Sequence, residues 1–95
     1  MYFVYIIETE DETYYTGMTT DIARRFQEHL SNTSRSAAYL NMHKPKYVVY
    51  MAERKTRGDA MRLERRLKKD YKFKMECIGQ RRDIREVIDS ELSYR

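Results

Sequence analysis

The chain has 95 residues, 36% of them charged and 41% hydrophobic, with a formal net charge of +4. That length supports one hydrophobic core with little to spare, and no apolar run approaches what a bilayer span needs. The single cysteine, Cys77, excludes an internal disulfide, no Cys/His group has zinc-ligand spacing and no signal-peptide pattern opens the chain, so a reducing cytoplasmic setting without a membrane partner is expected.

Charge is unevenly spread. Residues 1–34 carry two basic and six acidic side chains, a net of −4, whereas residues 35–74 carry thirteen and four, a net of +9. Residues 75–95 return to −1. A basic middle segment in a chain with nine tyrosines fits a polyanion surface, and equally a solvated helix face.

In chain order, Tyr2–Ile7 is a β-branched and aromatic run that predicts a buried strand. Glu8–Glu12 reads as a hairpin connection, Thr13–Thr16 as a second strand, and Gly17 as its stop, serving a close backbone approach or a positive φ. Thr19 or Thr20 then caps a helix with Asp21 in its first turn. Ile22, Phe26 and Leu30 form its apolar stripe, and Arg25 and His29, four apart, flank that stripe while Arg24 faces water. An arginine at the rim of a core pairs with a carboxylate of the fold or is kept for a ligand oxyanion.

Residues 31–36 are a polar connector, and Ala37–Met42 a short helix presenting Tyr39 and Leu40. Pro45 leads into a third strand, Lys46–Ala52. Asp59 is the expected cap of a helix over 60–69, in which Ala60, Leu63 and Leu67 face the core with Glu64 beside them. Glu64 is either an i,i+4 partner of Lys68, a buried partner of Arg25, or a functional acid. Tyr71–Ile78 is strand-like or irregular, and Ile84, Val87, Ile88 and Leu92 predict a closing helix from about Arg81 to Leu92.

Taken in order, Phe3-Val4-Tyr5, Tyr15-Thr16-Gly17, Arg25, His29 and Glu64 make the sequence resemble the GIY-YIG nuclease superfamily over about residues 2–75. It is most similar to the small stand-alone members, which resemble the amino-terminal domain of the excinuclease C subunit; Lys44-Pro45 and a strand ending in tyrosine belong to that pattern too. Two positions depart from it: Phe3 replaces the opening glycine, and Met18 stands where some repair members carry lysine. The elements read in order give an α+β fold, a three-stranded antiparallel sheet flanked by helices in the order β-β-α-(α)-β-α-α, with residues 1–95 as one domain, and to this the resemblance adds an activity.

It further implies a metal-dependent endonuclease hydrolysing phosphodiester bonds in DNA, in repair or recombination, with RNA left open as a substrate. Tyr5 would activate the attacking water, Tyr15 support it, and Arg25 grip a non-bridging oxygen. His29 would be a supporting group or auxiliary proton carrier, and Glu64 would hold one Mg²⁺ or Mn²⁺ ion. Gly17, Lys44, Arg65, Lys68 and Lys69 would meet the nucleic acid. A homodimer or a larger DNA-processing complex is compatible with a domain this small. Read without the resemblance, Tyr5 and Tyr15 are two strand tyrosines packing across a hairpin. Two other functions remain: a non-cutting nucleic-acid-binding module on the same fold, and an interaction partner of a larger assembly.

Overall fold

The computed structural model describes residues 1–31 and 37–93. The elements are β1 (Tyr2–Thr9), β2 (Tyr14–Thr19), α1 (Ile22–Ser31), α2 (Ala38–Met42), β3 (Pro45–Arg54), α3 (Arg57–Lys69), α4 (Tyr71–Cys77), β4 (Arg82–Asp83) and α5 (Ile84–Leu92). The strands form one antiparallel sheet in the order β2-β1-β3-β4, so the α+β class holds. The sheet has four strands rather than three, because Arg82 and Asp83 pair with Val48 and Tyr47 before Asp83 caps α5 through the Arg85 N–H at 2.8 Å.

β1 is the spine of the fold. Its alternation divides the core into two layers, as a period of two requires. Tyr5 and Ile7 pack with Ile22, Ala23 and Phe26 of α1, Leu40 of α2, and Ile84, Val87 and Ile88 of α5. Val4 and Ile6 pack on the other face with Ala60, Leu63 and Leu67 of α3 and Phe73 of α4. Between β1 and β3 the register slips at Val49, and the Gly79 N–H reaches the Val49 carbonyl at 3.4 Å, tying the segment after α4 to that bulge.

Several boundaries differ from expectation for identifiable reasons. Gly17 does not stop β2, which continues to Thr19. The positive φ in the hairpin falls on Glu12 (64°), and no described glycine has one. Asp21, rather than a threonine, caps α1: its carboxylate accepts the Arg24 N–H at 3.1 Å while Thr19 Oγ1 accepts the Asp21 N–H. Thr56 caps α3 by accepting the Asp59 N–H at 3.1 Å, so that helix begins at Arg57, with Asp59 in its first turn. The stretch 71–77 is a helix, launched by Asp70 accepting the Phe73 N–H at 3.0 Å. The connector expected at 31–36 lies, beyond Ser31, outside the described residues.

Candidate active site

Tyr5 and Gly17 are direct partners in the β1–β2 ladder, and β2 is the outermost strand. A Cβ added at Gly17 would stand 2.5 Å from the Tyr5 hydroxyl and 2.6 Å from its ring carbon Cζ. The Tyr5 side chain therefore lies across the bare backbone of Gly17, carrying its hydroxyl out to the sheet edge. Of the two uses expected for this glycine, close approach is the one realised.

The ring of Tyr5 is buried, held edge-on against Phe26 with centroids 4.9 Å apart. Its hydroxyl lies 2.7 Å from Nε2 of His29, which is itself buried. Arg25, one helical turn before His29, also hydrogen-bonds the Tyr5 hydroxyl. A guanidinium can only donate, so the phenol oxygen accepts from Arg25, while the direction of the Tyr5–His29 bond follows the imidazole tautomer. Tyr15 completes the group, its ring 6.5 Å from Tyr5 and 5.6 Å edge-on from His29.

Burial governs the protonation states. It lowers the pKa of His29 to about 4, assisted by the Arg25 charge, so the imidazole is neutral near pH 7. Burial also pushes the Tyr5 phenol above its ordinary value, with Tyr15 and Glu64 adding to the rise and Arg25 opposing it. Arg25 favours the phenolate through its positive charge. Its guanidinium is 3.1 Å from Glu28, a carboxylate three residues on. The i,i+3 spacing of Arg25 and Glu28 is the sequence signal for this pair.

Glu64 belongs to the opposite layer, on α3, and its charge reaches the Tyr5 hydroxyl. The carboxylate is 23% exposed and sits 3.7 Å from Lys68, a loose pair with a largely exposed lysine. Among the described residues no three His, Cys, Asp or Glu side chains converge as a metal cage. A hard divalent cation that takes one carboxylate and fills its shell with water and substrate phosphate suits this donor set; zinc, which takes three or four protein ligands, does not.

The expected nucleic-acid contacts are dispersed. Gly17 underlies Tyr5; Lys44 is exposed before β3; Arg65, Lys68 and Lys69 are exposed on α3, across the sheet from Arg25. Tyr39 and His43 extend the aromatic group: Tyr15, Tyr39 and His43 stack in series. The i,i+4 spacing of Tyr39 and His43 is a local signal, whereas their link to Tyr15 on β2 is not.

Comparison with known proteins gives a consistent family. Residues 1–76 match the GIY-YIG catalytic domain. A UPF0213 protein of Halobacterium salinarum is 37% identical over 78 residues, covering 82% of this chain and 99% of that protein. UPF0213 protein YhbQ of Salmonella typhimurium is 33% identical over 91 residues, covering 96% of this chain and 89% of its own. A UPF0213 protein of Desulfotalea psychrophila is 39% identical over 67 residues, which are 70% of this chain and 60% of the relative. No solved structure matches the chain significantly.

Proposed function

The chain belongs to the GIY-YIG catalytic domain family, and on that premise we propose that it is a divalent-metal-dependent endonuclease cutting phosphodiester bonds in DNA. The observation that carries this reading is the convergence of Tyr5, Arg25 and His29 in one hydrogen-bonded group, with Tyr15 beside it and Glu64 within electrostatic reach.

The chemistry has three requirements: a deprotonated nucleophile, neutralisation of charge on the phosphorus centre, and help for the leaving oxygen. Arg25 neutralises charge, its planar fork donating to a non-bridging oxygen. Glu28 holds that fork in place until phosphate arrives. Tyr5 takes the proton of the attacking water while handing its own to Nε2 of His29, so the phenol oxygen never carries a full isolated charge. Tyr15 lines the path and orients the water. Glu64 would hold the cation, Mg²⁺ or Mn²⁺, which supplies Lewis-acid stabilisation to the leaving oxygen when bound.

A second reading has its own support. A phenol pushed up by burial beside an imidazole of low basicity is a poor proton acceptor unless further positive charge reaches it. A module that binds nucleic acid without cutting would have the same features. The deciding experiment incubates wild type, Glu64→Gln, Arg25→Ala and Tyr5→Phe with supercoiled and branched DNA, with and without Mg²⁺ or Mn²⁺. Cation-dependent cutting lost in Glu64→Gln supports the enzyme. Salt-sensitive binding without cutting under any condition supports the module.

A further inference from the structure

The aromatic series beginning at the candidate site continues to the surface. Tyr15 stacks on Tyr39 of α2 with centroids 6.1 Å apart and planes 25° from parallel, and Tyr39 stacks on His43 at 4.4 Å and 23°. Tyr39 belongs to neither layer of the core, and it is 38% exposed. Met42 beside it is 84% exposed. Core packing accounts for Tyr15 but not for Tyr39.

The outer end of the series is fixed in place. Nδ1 of His43 lies 2.6 Å from the Asp11 carboxylate, which accepts the Thr9 hydroxyl at 2.5 Å. Those contacts hold the Asp11 carboxyl below its usual pKa and set the imidazole plane, tying α2's end to the β1–β2 hairpin. A shallow groove lined by Glu10, Asp11, Met42, His43 and Lys44 opens against that imidazole. Lys44 brings positive charge to this place against the carboxylate of Glu10, and Asp11 is already engaged by His43. Flat, preoriented rings next to a lysine, reaching back towards the arginine proposed to grip phosphate, suit a nucleobase that has left its duplex stack.

We infer that Tyr39 and His43 form a stacking platform for an unpaired base of the nucleic-acid strand bound at Arg25, so that this face selects single-stranded or locally unpaired substrate. The inference deepens the reading above and rests on its nucleic-acid part, not on cleavage. The test measures equilibrium binding in EDTA, where nothing is cut, of a fluorescent single-stranded oligonucleotide and of a blunt duplex of the same sequence. Wild type binds the single strand more tightly. Tyr39→Ala weakens single-strand binding by about 5- to 100-fold, the range for losing one stacked base, and changes duplex binding less than about twofold. Tyr39→Phe, which keeps the ring, binds like wild type. As a second measurement independent of any variant's folding, 5-iodouracil in the single strand crosslinks on irradiation to Tyr39 or His43 of the wild type. Equal losses for both substrates, no loss in a folded Tyr39→Ala, or crosslinks that map elsewhere overturn the inference. The two readings fail separately. Glu64-dependent cutting with Tyr39→Ala binding unchanged removes the platform and keeps the nuclease; Tyr39-dependent binding without cation-dependent cutting does the reverse.

Discussion

Gly17 has no side chain because Tyr5 occupies the space where one would begin. The neighbouring ring is packed against Phe26 and cannot swing aside as a flexible chain end could. Gly17→Ala is therefore expected to cost about 1–3 kcal/mol, the usual range for overpacking, and to displace the Tyr5 hydroxyl from His29; thermal denaturation measures the first effect. His29 gives a pH prediction. Its pKa falls from 6.5 in the open chain to about 4 in the fold, so the unfolded state binds more protons between those values. The stability it contributes is present above pH 6.5 and is lost as pH falls towards 4, on the order of 3 kcal/mol in all. Denaturant titrations across that window should show the fall in wild type and a flatter profile in His29→Gln. Arg25 and His29 were legible as a pair because four residues make one helical turn. That Tyr5 would meet them followed from a hairpin leading into the same helix.

At the scale of elements, the helix that starts earlier than expected, α3, and the helix that was not expected, α4, are each launched by one side-chain oxygen. Thr56 and Asp70 each accept an N–H three residues on, and the residues after them then follow the helix. The run from Lys72 to Ile78 has enough aromatic and β-branched character to read as a strand. Its helical form comes from the Asp70 cap and from packing, with the Arg66 guanidinium 3.6 Å over the Phe73 ring. Tertiary contact of that kind overrides local propensity and leaves no trace in a window of sequence. Thr56→Ala and Asp70→Ala should each cost about 1 kcal/mol in urea denaturation, the usual worth of an N-cap. β4 was invisible for a different reason: two residues are too few for any periodic signal.

At the scale of the molecule, the sheet separates Arg25 from the α3 cations, with Glu64 able to influence Tyr5 from the far layer. The order of motif residues in the chain does not reveal that arrangement, because which face each helix covers depends on alternation along β1. If nucleic acid follows the basic middle segment, affinity falls steeply with salt, and replacing both Lys68 and Lys69 by alanine lowers the slope of log K against log salt by about 2. Fluorescence anisotropy at several salt concentrations checks it. Among the described residues no helix is long and apolar enough to cross a membrane. The central claim is that one carboxylate on α3 and the phenol, guanidinium and imidazole across the sheet act as a single cation-dependent site. Its most direct test is nicking of supercoiled DNA by freshly purified wild type and Glu64→Gln, each with Mg²⁺ and with EDTA. Nicking by wild type with Mg²⁺ alone, and by Glu64→Gln under neither condition, is the expected result; equal nicking by both proteins would contradict it.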